Sequence, residues 1–145
     1  MKLARRVQYG LRILCQLARS YSSGPLQLGE ISAREGISEK YLGQIMLSLR
    51  AGKIVEALRG SQGGYYLARD PASISVLELL IAIDGDALEL DEAEDALAAK
   101  GETGAMAREA WTRLRAAMEG SLSSLSLDDL RKIVIFKEGA GDFTI

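Results

Sequence analysis

Histidine is absent from this 145-residue chain and cysteine occurs once, at Cys15. One thiol closes no internal disulfide, and without imidazole there is no Ser–His or Cys–His nucleophilic pair. Zinc and iron–sulfur sites that draw several thiolates or imidazoles from a single chain are excluded on the same ground. No apolar run approaches the roughly 20 residues that a membrane span needs. The basic opening, Met1-Lys-Leu-Ala-Arg-Arg-Val-Gln-Tyr, has no uninterrupted apolar stretch behind it, as a signal peptide would. These absences leave a cytoplasmic protein that is not an enzyme as the expectation.

Nearly half the residues are apolar, and the length suits one compact core with an appended element. The net charge of −2 conceals an asymmetry. Through Asp70 there are 11 Lys/Arg against 5 Asp/Glu, a net of +6; from Pro71 onward there are 7 against 15, a net of −8. A basic half that meets phosphate and an acidic half that faces away fit nucleic-acid binding.

Periodicity divides the basic half into short elements. Val7, Leu11, Leu14 and Leu17 recur at helical spacing over residues 2–20, and Ser22-Ser-Gly-Pro ends that helix. A second helix is expected over 28–35, closed by Gly36 in the left-handed conformation. Ser38 is a suitable N-cap for a third over 39–51, which Gly52 ends. A hairpin follows, with strands 54–58 and 65–68 and the tip Arg59-Gly-Ser-Gln-Gly-Gly. Ser75 to Ile83 predicts another amphipathic helix.

The acidic half begins with a loop or weak helix over 86–95. A long helix over 103–125 is marked by Trp111, Leu114, Met118, Leu122 and Leu125, at the 3- and 4-residue spacing of a coiled-coil seam. Ser126-Leu-Asp-Asp caps a last helix over 127–136, and residues 139–145 read as a flexible tail.

The predicted fold is mostly α with a small β-hairpin wing: a winged helix-turn-helix domain over 1–84, an acidic loop over 85–102 and dimerisation helices over 103–138. In the third helix, Leu42, Ile45, Met46 and Leu49 must face the core, which turns Lys40, Tyr41, Gln44 and Ser48 outward. Amide, hydroxyl and ammonium groups near a helix N-terminus are what major-groove reading requires. Gln44 is suited to adenine, Lys40 to phosphate or guanine. Gly43 costs about 1 kcal/mol relative to alanine in a helix interior; its missing side chain either lets the helix sit close to DNA or is simply tolerated. Arg59, followed by Gly60 at the hairpin tip, has the chemistry to enter a narrow minor groove. A solvated helix face and a plain hairpin are the bland readings of either part alone. Their succession favours DNA.

Tyr41-Leu-Gly-Gln-Ile, Leu49-Arg, and the Val55–Leu67 segment with Arg59-Gly60 and Gly63-Gly64-Tyr65 resemble the Rrf-two family of bacterial transcription regulators. The opening Met1-Lys-Leu and Gln8-Tyr-Gly-Leu-Arg are similar to its first helix. The resemblance implies a homodimeric regulator, more often a repressor, on a partly palindromic double-stranded operator. The long helix would cross its twin through Trp111, Leu114, Met118, Leu122 and Leu125, and each third helix would enter a major groove. It further implies that Tyr41 and Gln44 read bases or anchor the helix, that Arg59 probes the minor groove, and that Arg5, Arg6 and Ser38 contact phosphates. Many relatives carry glutamate where this chain has Gly43.

Cluster-binding members of that family place three cysteines before the long helix. This chain has Ala93, Ala99 and Ala105 at comparable spacing. They are either engineered replacements in a protein whose parent binds a 2Fe–2S cluster or the mark of a natural cluster-free member; no cofactor is expected here. The carboxylates Asp84, Asp86, Glu89, Asp91, Glu92, Glu94 and Asp95 lack a calcium-loop pattern and read as a solvated loop, so no metal site is expected. Cys15 reads as a small buried hydrophobe. Trp111 and the seam leucines serve either an interface or an effector pocket, and a partner protein as the controlling signal stays open. The rival of another class is a protein-interaction adaptor that uses the winged helix as a docking surface.

Overall fold

The computed structural model of the chain describes residues 4–85, 88 and 100–133. Three helices come first: α1 (Arg5–Arg19), α2 (Leu28–Glu35) and α3 (Glu39–Ala51). An antiparallel hairpin of β1 (Val55–Leu58) and β2 (Gly64–Leu67) follows, paired from Val55↔Leu67 to Leu58↔Gly64. A 3-10 turn (Pro71–Ser73) leads into α4 (Val76–Ile83), and α5 (Gly101–Ser124) is the long helix. Residues 127–133 are helical. The acidic stretch 86–95 apart from residue 88, the positions Ala93 and Ala99, and the tail 139–145 lie outside the described residues.

Local chemistry sets most of these boundaries. Gly36 closes α2 at φ 66°, ψ 31°, and its amide donates to the Ser32 carbonyl. That left-handed conformation is strained for residues with a Cβ, and it produces the tight turn into α3. The Ser38 hydroxyl accepts from the Tyr41 amide at 3.3 Å and so caps α3. Ser75 and Glu78 form a reciprocal capping box at the start of α4, and Ser126 with Asp129 repeats the exchange before the 127–133 helix.

One core joins these elements. α1 buries Val7, Gly10, Ile13, Leu14, Leu17 and Ala18, while α3 buries the expected Leu42, Ile45, Met46 and Leu49. Ile31, Ile54, Val55, Leu67, Ile74 and Leu79 close it. Each such side chain contributes about 1.5–3 kcal/mol by leaving water. No buried polar or charged side chain interrupts the core among the described residues.

The chain returns to this core after α5. The Val76 amide donates to the Leu125 carbonyl and the Leu127 amide to the Ile74 carbonyl, both at 2.9 Å, and Leu127 is buried in the module. The sequence assigns residue 127 to a last helix within the dimerisation span 103–138. Only the pairing of two segments 50 residues apart in sequence brings it back.

Candidate nucleic-acid interface

α3 divides its residues sharply. Lys40, Gln44, Leu47 and Arg50 are exposed, whereas Tyr41, Gly43 and Ser48 are half-buried. The exposed stripe therefore lies beside the Tyr41–Gln44–Ser48 stripe that spacing alone suggested. The Tyr41 ring packs against the core and meets Tyr9 of α1 edge-on, centroids 5.5 Å apart. The Gln44 side chain makes no hydrogen bond among the described residues, which leaves both ends of its amide available to a ligand.

Arg6 of α1 and Ser48 of α3 are brought together: the guanidinium donates to the Ser48 hydroxyl at 3.2 Å. Forty-two residues separate them, so only the fold makes them neighbours. Arg5 and Ser38 are exposed beside them in sequence order on α1 and at the head of α3.

A second clamp fixes the turn between α2 and α3. Arg12 donates to the Glu35 carboxylate at 2.7 Å and to the Glu35 carbonyl at 2.6 Å, and Gln16 donates to the same carboxylate. Burial would raise the Glu35 carboxyl, but hydrogen bonds from Gln16 and Arg12 and the Arg12 charge bring it below its ordinary value. The Arg12 guanidinium also lies over the Tyr9 ring at 5.6 Å. Sequence reasoning did not single out Tyr9, Arg12 or Glu35, because the contacts that join α1 to Glu35 and Tyr41 link distant positions and leave no periodic signal.

The wing is held at its base and turned at its tip. Leu26 and Tyr65 exchange backbone hydrogen bonds of 2.9 and 2.7 Å, so the segment before α2 adds a bridge to β2. At Gly64 a Cβ would come within 2.5 Å of the Leu26 carbonyl oxygen, so this close approach requires glycine. Gly63 donates to Gly60 across the tip, and Arg59 and Gly60 are exposed there.

The charge imbalance sharpens in three dimensions. Glu30 and Glu35 are engaged with the N-cap of α2 and with Arg12, Glu56 accepts from the Tyr66 hydroxyl, and Asp70 caps the 3-10 turn. Arg5, Arg19, Lys40, Arg50, Lys53 and Arg59 have no carboxylate partner among the described residues. Most of the module's acids are satisfied internally while these cations are left for an external anion.

The family described as "Rrf2: Iron-dependent Transcriptional regulator" matches residues 3–132. The chain belongs to the Rrf2 family. It is 34% identical over 130 residues to the HTH-type transcriptional regulator CymR of Bacillus subtilis, covering 90% of this chain and 89% of that one. It is 33% identical over 136 residues to IscR of Photorhabdus laumondii, covering 90% and 79%. The structure of B. subtilis CymR, the global cysteine regulator, superposes with a TM-score of 0.79 at 31% identity over 92% of this chain and 98% of that one. T. potens IscR superposes with a TM-score of 0.75 at 30% identity, covering 92% and 88%.

This Rrf2 protein is a DNA-binding transcriptional regulator and not an enzyme, and the adaptor reading is not favoured. Among the described residues no helix is long and apolar enough to cross a membrane. The thiolates of a three-cysteine cluster are not present: the one cysteine, Cys15, is half-buried on α1, and Ala105 is an exposed residue of α5. Burial first, and then the Glu35 carboxylate, push the Cys15 thiol up, the direction opposite to that of an activated thiolate.

Proposed function

We propose that this regulator binds a partly palindromic operator as a cytoplasmic homodimer and acts as a repressor. In this reading α3 enters the major groove through Lys40, Gln44 and the Tyr41 edge, and Arg59 with Gly60 enters the adjoining minor groove. Arg5, Arg6, Ser38 and Ser48 contact the sugar-phosphate backbone. The observation that carries the reading is the exposed polar stripe of α3, whose Gln44 amide is unengaged, set in a module that leaves seven described cations, Arg6 among them, without carboxylate partners. Base edges demand paired donors and acceptors, and phosphates demand positive charge.

The dimer is supported by α5. Of its 24 residues only Gly104 is buried, while Met106, Trp111 and Leu114 are exposed at 72%, 48% and 48%. Apolar side chains of that size on one long helix need a partner surface, and a second α5 supplies one of matching length. Met118 and Leu122 are half-buried and Leu125 lies past the helix end, so the seam's free part is its N-terminal half.

The test is competition between operator and random duplex. Gln44→Ala narrows the gap between the two by about 1–3 kcal/mol, and Arg59→Ala weakens sites with an A·T-rich minor groove most. Equal relative losses on both duplexes for Gln44→Ala would remove base reading from α3. Affinity should also fall steeply with added salt through counterion release.

A further inference from the structure

Leu47 is the one large apolar side chain exposed on α3, and neither phosphate nor a polar base edge can use it. It is 66% exposed, while the other leucines of that helix, Leu42 and Leu49, are fully buried. Gln44 precedes it by three residues and Gly43 by four, so the three share one side of the helix. A helical side chain leans back over the turn before it. For Leu47 that turn contains Gly43, where a Cβ would meet nothing within 4 Å. The backbone at Gly43 and the Leu47 isobutyl group thus outline an open apolar notch beside the Gln44 amide.

We propose that this notch receives the 5-methyl group of a thymine next to the base pair addressed by Gln44, which makes Leu47 a specificity-determining residue. The inference rests on the entry of α3 into the major groove. Thymine carries the one apolar group that the four base pairs display there. An isobutyl side chain gains free energy only by burying apolar surface, so the methyl is the group it can select. Three residues advance about 4.5 Å along a helix, close to the roughly 3.4 Å between stacked bases, which places Gln44 and Leu47 over neighbouring base pairs. A protein partner fits the position less well. The exposed α3 residues within one turn of Leu47 are Gln44, Arg50 and the small Ala51, with Lys40 a turn further on. Leu47 thus has no second large apolar side chain beside it on α3, and its polar and cationic neighbours suit a polyanion better than an apolar interface.

The experiment replaces each thymine of an operator, selected from random duplexes by the full-length protein, with deoxyuridine. That change removes the methyl and keeps the base pairing. Affinities of the unaltered protein, Leu47→Ala and Gln44→Ala are read by fluorescence anisotropy. The unaltered protein should lose roughly fourfold, the effect of one buried methyl-sized group, at one thymine per half-site. Leu47→Ala should bind the thymine and uracil duplexes equally at that position, while Gln44→Ala retains the difference. A methyl effect that persists in Leu47→Ala, or no sensitive thymine while Gln44→Ala still loses specificity, overturns the proposal alone. If no operator emerges from selection, entry of α3 into the groove fails and this inference fails with it. Leu47 is exposed, so an unchanged melting temperature verifies that the variant is folded.

Discussion

The winged-helix module and the long helix α5 carry similar apolar periodicity and put it to opposite use. In the module, helical stripes on α1 and α3 close on each other and on the hairpin, and nearly all of the core lies between Val7 and Leu80. In α5, Met106, Trp111 and Leu114 stay open to solvent, and Lys100 provides no side-chain cap at its start. Its exposed surface is supported by the i,i+4 pairs Glu109–Arg113 and Arg115–Glu119, each worth a few tenths of a kcal/mol at most. Periodicity alone therefore specifies an apolar face and not its partner. Where several short elements follow one another closely, the partner lies in the same chain. Where a helix of about 36 Å packs on α4 yet leaves Met106, Trp111 and Leu114 exposed, the proposed partner is a second copy.

Substitutions separate the two regions, most strongly in the core. Leu49→Ala empties a fully buried site and should cost about 2–5 kcal/mol of folding stability, measured by urea denaturation. A loss below 1 kcal/mol would mean that the module's packing is looser than its burial implies. On the open helix, Leu114→Glu should leave the module folded and halve the solution mass seen by light scattering. Operator affinity should then drop about 100-fold or more as the two half-sites uncouple. An unchanged mass would assign Leu114 to some surface other than the dimer contact.

The wing gives a smaller effect. In Gly63→Ala the new Cβ would lie 2.0 Å from the Leu58 carbonyl oxygen, a clash with backbone that side-chain adjustment cannot relieve. About 1–3 kcal/mol of stability should be lost, with hydrogen exchange faster in β1 and β2 than in α1. Exchange that rises equally everywhere would show that the wing does not respond as a separate unit. The smallest effect concerns acid. Glu35 titrates below its ordinary value, so its contribution is complete above the unfolded carboxylate range near pH 4.3 and fades as pH falls through the lower folded value. Glu35→Gln should lower the melting temperature at neutral pH by the equivalent of about 1 kcal/mol. Below that range the difference from the parent should shrink. A pH-independent difference would assign the loss to packing at the turn.

Much of the fold was legible in the residues because its signals are local. Gly36, Ser38 and Gly52 delimit α3, and the expected bounds of α2 and α3 coincide with those observed. The glycine-rich tip predicted the hairpin, but the expected strands 54–58 and 65–68 each miss the observed Val55–Leu58 and Gly64–Leu67 by one residue, since strand ends depend on pairing more than on propensity. The candidate interface was legible in part. Lys40, Gln44 and Arg59 are exposed as their spacing implied, but Tyr41 is drawn halfway into the core by Tyr9, and Leu47 takes a place on the outer stripe that a leucine among apolar neighbours did not advertise.

By itself, the order of residues determined the helix ends, the apolar stripes, the charge division and the absence of a three-thiolate cluster site, because each depends on contacts within a few positions or on composition alone. Tertiary structure decided the rest. It set Arg6 on Ser48, locked Glu35 between Arg12 and Gln16, returned Leu127 to the module's core and left Leu47 outside it. Those outcomes depend on which surfaces meet across tens of residues, and that is fixed by the mutual burial of several elements at once rather than by any one of them.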